Sequence, residues 1–566
     1  MGRILKKGVC SNFRKRKKGF FLVNLLKLYK NESTVSGNSI LFMAIVSGIA
    51  QGLLLGIITT AAATASYDKL NFRYFLIFVI TFAIVIVGKR YALIQATAIT
   101  EGVIKQLRVR LSDKIRHSEL LFLENIGKAE IYTRTTYNTN LISEAAALII
   151  NAAQSGIVLF FCLFYICFLS KLAFFITLLA IGAAAFNYIL QQKKIDKEMR
   201  ETANKESNFF DMLNQTLDGF KELKVNTKKS DDLFSTLKKI ADETENLKLK
   251  TGFKFVTELM FSQVFFYTLL GIIVFVLPRL DPANPSLIIR LTAAILFLIG
   301  PVNMLVGAIP LFSRANMAVE ILYELEEWLD KANKPYKIQG TAHIRKIASF
   351  NELQISDLSF SYTDDNQIPL FTVGPTNLTI KKGEIIFIVG GNGSGKSTLM
   401  KLLTGLYYPD SGNIRLDNLT IDKTSYQAYR EMFSIIFNDF HIFDKLYGLS
   451  EKDFEKIQSL IQLMELEKKT EVIDGKFTNI NLSTGQRKRL AMIISLLEDR
   501  PICVFDEWAA DQDPAFRNYF YETLLSDLKS QGKTIIAVSH DDRYFSFADR
   551  VLKMEYGQFI ETKQRS

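Results

Sequence analysis

Six apolar runs, at residues 40–63, 74–94, 142–169, 172–190, 258–278 and 287–311, leave this chain few possible folds. Each is close to the length of about 20 residues that carries a helix across a bilayer. Backbone N–H and C=O groups find no water in the hydrocarbon, so each run must satisfy its own, which a helix does within the segment. Six such runs in series also exceed what the core of one soluble domain needs. Apolar residues make up 48% of the sequence and crowd into this half, while soluble patterning begins near residue 313. The expected fold is a six-helix transmembrane domain over residues 36–330, a linker at 331–352 and an α/β domain at 353–566.

Charge sets the orientation. The chain carries a formal net charge of +11, and its Lys and Arg concentrate in residues 1–30 and in the long gaps 105–140 and 191–254. By the positive-inside rule these stretches are cytoplasmic, and an even number of spans returns the chain there before residue 313. The basic balance therefore reads as anchoring, not as nucleic-acid binding. Residues 1–35 read as a basic tail with an interfacial helix, Arg14–Lys18 leading into Phe20–Tyr29. Asn24 and Lys27 interrupt that apolar stretch and no small-residue cleavage site follows, which argues against a signal peptide. The two long gaps are periodic and helical and read as extensions of the spans. Leu217–Lys224 turns on Gly219, either as a contact to the nucleotide domain or as a solvated elbow. Cys10, Cys162, Cys167 and Cys503 are scattered and suit neither a disulfide framework nor a zinc site.

Within the spans full charges are nearly absent, whereas Gln51, Gln154, Asn187, Gln263 and Asn303 recur. Such groups face a bundle interior or a watery cavity, or bond neighbouring helices. They suggest a pathway for an amide-compatible cargo without strong charge. Gly300-Pro301 and Pro310 should bend or loosen the sixth span.

The soluble half carries the chemistry. Gly390-Gly391-Asn392-Gly393-Ser394-Gly395-Lys396-Ser397-Thr398 follows the strand-like Glu384–Val389 and precedes a helix read over Leu399–Leu406. This strand–loop–helix context is what a phosphate loop requires, with backbone N–H groups and a helix N-terminus facing the phosphates. Lys396 would reach the β- and γ-phosphates of a nucleoside triphosphate, and Ser397 would ligate Mg²⁺. The strand Ile502–Phe505 ends in Asp506, placed for the metal shell, and Glu507, placed to polarise the attacking water. A further strand, Thr534–Ser539, ends in His540, on the edge where open α/β sheets bind ligands. His117 and His343 read as structural. Tyr362, closing the alternating Asp357–Tyr362, is either an adenine-stacking ring or an ordinary strand aromatic.

Asn481–Arg489 then opens a helix over Leu490–Leu497, and here the chain resembles the ATP-binding-cassette exporters over essentially its whole length. Leu482–Gln486 looks like the family signature, whose helix N-terminus clamps the γ-phosphate of ATP held by the opposite subunit. The resemblance thus implies ATP contacts from Ser483, Gly485 and Gln486 besides Tyr362, Gly390, Asn392, Gly393, Gly395, Lys396, Ser397, Thr398 and Asp506. It makes Glu507 the catalytic base, His540 the switch histidine, Asp513 the D-loop aspartate and Asn438 the Q-loop position, with Ser397, Asn438 and Asp506 around Mg²⁺. It also implies a type IV exporter fold and a homodimer with two composite sites, multi-pass in the bacterial inner membrane with the cassette cytoplasmic.

Leu482–Leu490, Phe505–Asp513 with its Trp508, and Val538–Phe545 with its Asp541-Asp542 are together similar to a narrower group, the cyclic-peptide exporters of syringomycin and pyoverdine (siderophore-precursor) type. That similarity implies ATP-driven export of a cyclic or nonribosomal peptide-like compound, with membrane lipids and that small molecule as partners and no nucleic acid. Lipid flipping, multidrug efflux and an ATP-gated channel are the rival readings. Two departures stand out: Asn438 replaces a glutamine, and the stretch from Asn438 to Leu482 is short, which implies a trimmed helical subdomain.

Overall fold

The computed structural model describes residues 27–29, 32, 38–63, 72–280, 285–332, 350–364, 366–422, 425–449 and 455–564. The basic stretch Arg14–Lys18, Cys10, the linker turn at Pro335 and Gly340, and His343 lie outside the described residues. The chain divides into two compact units. One comprises the described part of 18–112 with 132–326, and the other comprises 113–131 with the described part of 327–566.

Among the described residues the main helices before residue 333 are α1 (Asn38–Ala63), α2 (Phe72–Arg116), α3 (Leu120–Ile126), α4 (Lys128–Leu169), α5 (Lys171–Asp218), α6 (Phe220–Val225), α7 (Thr227–Gly271) and α8 (Pro285–Ala332), with a single helical turn, Leu277–Leu280, between α7 and α8. The six apolar runs fall on α1, α2, α4, α5, α7 and α8. Among the described residues, four of these, α1, α2, α4 and α8, are apolar over a length that crosses a bilayer, and α5 and the end of α7 carry the apolar stretches Lys171–Ala184 and Gln263–Arg279. Gly48 and Gly52 let α1 approach α4 closely: a Cβ there would lie 2.6 Å from Ile157 and 2.7 Å from Phe161. Without a hydrophobic drive inside lipid, such small-residue contacts are what hold spans together. The core of this unit is Cys162, Ile166, Phe266, Ile273, Leu291 and Leu298. Phe75, Ile80 and Phe164 are exposed on α2 and α4, as on a lipid-facing surface. Helix α8 runs unbroken through Pro301 and Pro310. Beyond α7 the chain continues through a π turn, Ile272–Val276, that the sequence reading did not anticipate.

The second unit is built on a six-stranded sheet of order β12-β11-β3-β10-β9-β6. Its strands are β3 (Ile385–Val389), β6 (Phe433–Ile436), β9 (Ile502–Asp506), β10 (Thr534–Val538), β11 (Arg550–Glu555) and β12 (Gln558–Gln564). All neighbours are parallel except the β11–β12 edge. Strands β9 and β10 are buried on both faces, which explains why their sequences are continuous apolar runs and not alternating ones. A four-stranded antiparallel sheet, order β2-β1-β4-β5, is formed by β1 (Glu352–Thr363), β2 (Pro369–Lys381), β4 (Ser411–Leu416) and β5 (Leu419–Thr420). Helix α9 spans Lys396–Leu403, three residues earlier than expected, because Gly395 turns into the left-handed region (φ 101°) and starts the helix at Lys396. Helix α10 (Tyr426–Arg430) precedes β6. Between Asn438 and Leu482 the described residues hold one short helix, α11 (Ile457–Leu463), and a hairpin of β7 (Val472–Ile473) and β8 (Lys476–Phe477). Helices α12 (Thr484–Glu498) and α13 (Pro514–Asn518) flank β9 in sequence.

Candidate functional site

Parallel pairing of β3, β10 and β9 aligns Ile388 with Val538 and Val538 with Asp506, so the residues that follow these strands share one edge of the sheet. That register brings Gly390–Thr398, Asp506-Glu507 and His540 together. Gly390 has φ 154°, and a Cβ on it would lie 2.2 Å from the Met554 carbonyl oxygen of β11, so the loop needs glycine to leave the sheet. The Lys396 Nζ donates to the carbonyls of Gly390, at 2.9 Å, and Gly391, at 3.0 Å. Burial holds its pKa below the usual lysine value, against the pull of Glu507 and Asp506.

Burial likewise pushes the Asp506 carboxyl above its usual range, opposed by hydrogen bonds from the Ser397 side chain and the Asn438 main chain. Its Oδ1 is buried with no hydrogen-bond partner. The Asn438 side chain is exposed. Glu507 sits in the left-handed region with φ 53°, and its Oε1 lies 2.9 Å from His540 Nε2. The Tyr362 hydroxyl is 3.2 Å from Thr398 Oγ1, which puts the ring beside the phosphate-loop helix, edge-on to Phe360.

The signature residues form a second patch at the start of α12. Ser483 caps that helix, its Oγ accepting from Gln486 N at 3.4 Å while Gln486 Oε1 accepts from Ser483 N at 3.3 Å. This reciprocal capping box satisfies two donors that a helix N-terminus leaves open. Gly485 is fixed by packing: a Cβ there would be 2.6 Å from the Asp511 carbonyl oxygen. Asp513 caps α13 through the Phe516 N–H and pairs with Arg489, and these hold its carboxyl below the usual range, the Phe516 bond foremost. Among the described residues no hydrogen bond or ion pair joins Ser483–Gln486 to Gly390–Thr398.

Lys488 was not singled out by sequence reasoning, yet it is fully buried. Its Nζ donates to the Glu507 main-chain oxygen at 2.7 Å and pairs with Asp511 at 2.7 Å, while Trp508 Nε1 donates to the Lys488 carbonyl. Lys488 thus ties the signature helix to the backbone of Glu507. Arg489, beside it, lies 3.6 Å over the Phe516 ring and donates to Gln512.

Residues 373–510 match the ABC transporter family. The ATP-binding protein SyrD of Pseudomonas syringae pv. syringae is 29% identical over 539 residues, 92% of this chain and 93% of its own length. A bacterial Atm1-family ABC exporter solved with ATP bound shares the fold at a TM-score of 0.75, over 93% of each chain and at 16% identity. The chain belongs to the ABC transporter family. An ATP-dependent lipid A-core flippase of Burkholderia thailandensis is also similar, 23% identical over 82% of this transporter and 78% of its own length. The transporter joins an exporter-type membrane half to an ATP-binding cassette in one chain, and that cassette is an ATPase domain coupled to transport.

The gap at 105–140 is not a simple extension of the spans in this transporter. Helix α2 stops at Arg116 and the short α3 breaks away, with Leu120 and Leu121 against the core of β1, β2 and α9. Glu124 accepts from Lys401 Nζ at 2.8 Å and from the Tyr407 hydroxyl. Tyr407 adjoins Tyr362, whose hydroxyl reaches Thr398. A line of polar contacts therefore runs from α3 to the phosphate-loop helix. Glu124→Ala is expected to make the α3 amides exchange about tenfold faster, since bonds to a charged group contribute about 1.5–3 kcal/mol. Hydrogen exchange over residues 119–127 measures this, and unchanged protection would remove Glu124 from that role. At the other elbow, Leu217, Phe220 and Val225 are exposed and Leu223 is buried.

Proposed function

We propose that the transporter hydrolyses ATP held between two copies of this chain and uses it to export a peptide-like small molecule across the bacterial inner membrane. The observation that carries the dimer is the division of the site. A phosphate loop with its carboxylates lies in one patch and a capped signature helix in another, with no bond between them among the described residues. Each chain thus supplies two half-sites that a second copy completes.

In this reading Lys396 leaves the Gly390 and Gly391 carbonyls for the β- and γ-phosphates, and the loop N–H groups hold the remaining oxygens. Tyr362 stacks on the adenine. Glu507 accepts the proton of the attacking water, held in place by His540 and by the Lys488 bond to its main chain. Ser483, Gly485 and Gln486 of one copy meet the phosphate on the other, with Asp513 beside them. The orphaned Asp506 Oδ1, next to Ser397 and the Asn438 main chain, fits a cation site. Ser397, Asn438 and Asp506 would hold Mg²⁺, which when bound neutralises phosphate charge.

The cargo assignment rests on the three motifs shared with cyclic-peptide exporters, on the near full-length similarity to SyrD, and on the amide side chains of the spans. Lipid flipping is the second reading, favoured by the similarity to the Burkholderia flippase. Uptake of a labelled cyclic peptide and of a labelled phospholipid into inside-out vesicles separates them. The expected result is ATP-dependent accumulation of the peptide, abolished by Glu507→Gln, with little lipid movement. Lipid movement without transport of any peptide in a broad panel would overturn the cargo assignment.

A further inference from the structure

The membrane unit holds a cavity of about 340 Å³ bounded by α1, α2, α4 and α8. Gln51, Lys89, Asn151, Gln154 and Ser155 line it together with Val158, Pro301 and Met304, so a polar cluster stands in a wall that is otherwise apolar. The volume is at the lower end of the range of about 300–1,000 Å³ for small-molecule sites. It suits one end of a cargo.

The wall is built and not incidental. Gln154 is only 4% exposed, and its Nε2 donates to Ser47 Oγ at 2.7 Å. Ser47 Oγ in turn donates to the Val85 carbonyl of α2 at 3.1 Å. This chain of bonds pins the Gln154 side chain between three helices. The room comes partly from Gly300 on α8, where a Cβ would meet nothing within 4 Å.

Lys89 sets the sign of the site. It lies roughly 26 Å along α2 from Phe72 at a helical rise of about 1.5 Å per residue, near the far edge of a hydrocarbon layer about 30 Å thick. That is the side on which α2 continues to Arg116, so the cavity faces cargo arriving from the cytoplasm or the inner leaflet. Among the described residues no Asp or Glu lines the cavity, so no carboxylate of the wall balances the ammonium there. Near that edge the Lys89 side chain is exposed, so its ammonium is open to a ligand's negative charge. The sequence reading of a cargo without strong charge is refined accordingly: one cation calls for one negative charge.

We infer that this cavity is a cargo subsite that binds a carboxylate of the exported peptide on Lys89 and the adjoining peptide groups on Gln51, Asn151 and Gln154. The inference rests on the peptide-export reading and names which peptides the site selects. Amide side chains both donate and accept, which matches the N–H and C=O of a peptide bond. A lone lysine is a single point charge, which one carboxylate balances.

The test uses the full-length transporter in nanodiscs, with ATPase stimulation expressed relative to each variant's own unstimulated rate. The probes are two cyclic peptides that differ only in carrying Asp or Asn at one position. In the wild type the Asp peptide should half-stimulate at a concentration at least tenfold below that of the Asn peptide. Lys89→Gln should erase that difference, Lys89→Arg should keep it, and Gly300→Leu, which adds bulk at the cavity wall from a Cβ position with no protein atom within 4 Å, should weaken both responses. Equal potency of the two peptides, or an Asp preference that survives Lys89→Gln, overturns the subsite and leaves peptide export standing. Stimulation by phosphatidylglycerol that depends on Lys89, without a response to either peptide, overturns both.

Discussion

Glu507→Gln is expected to lower ATP turnover by about 10²–10⁴-fold while leaving ATP binding intact. Glutamine keeps the size of the side chain and can still bond to His540, which lies 2.9 Å from Glu507 Oε1. It cannot take a proton from water. The backbone at this position is held independently of the side chain, by the Lys488 bond to the Glu507 carbonyl and by the packing of Trp508. The substitution therefore removes a proton acceptor without moving the loop. In the proposed reading binding rests on Gly390–Thr398, which follows a different strand, and should not change. Phosphate release and equilibrium ATP binding, measured on the same preparation, separate the two quantities. Hydrolysis above a tenth of the wild-type rate would show that another group accepts the proton.

The parts of this molecule that were legible in the sequence are those whose physics is local. A span must be apolar along its whole length, so the six runs marked their helices. A phosphate loop is a strand, a glycine turn and a helix within about 20 residues of one another, and each part leaves its own mark on the sequence. The strands β9 and β10 announced themselves as continuous apolar runs because both faces are covered.

What stayed hidden depends on contacts distant in sequence. Lys488 sits among Arg487 and Arg489 and reads as part of a wet helical face, yet the chain that follows β9 folds over it and buries it completely. Gly485 reads as a glycine kept small for phosphate, whereas its neighbour here is the Asp511 carbonyl. The break after Arg116 carries no proline or glycine until Gly127, so nothing local announced that α3 would leave the line of α2 and seat Glu124 on Lys401 and Tyr407. Lys89 was concealed by the run around it, because a single cation hardly alters the mean hydropathy of a span. Only the packing of α1, α2, α4 and α8 reveals that it lines a cavity.

Ser483→Arg is expected to abolish ATP-driven closure of the dimer, and its effect should appear on the other copy. Ser483 is the N-cap of α12, so the substitution loses a cap worth about 0.5–2 kcal/mol. It also sets a bulky cation at a helix N-terminus, where the dipole disfavours positive charge. Ser483→Ala loses only the cap and separates that local cost from the loss of closure. The decisive measurement is a mixed dimer in which one chain carries Ser483→Arg and the other Lys396→Ala. If the sites are composite, one site in the mixed dimer gathers both lesions. The other then pairs an intact phosphate loop with an intact signature helix. Each parent homodimer, by contrast, has a lesion in both sites. The mixed dimer should therefore retain about one occluded ATP, against none in either parent. If instead each chain completed its own site, both sites of the mixed dimer would be damaged and no ATP would be retained. Failure of the two lesions to complement in purified mixed dimers would therefore place the signature helix and the phosphate loop in the same site of a single chain.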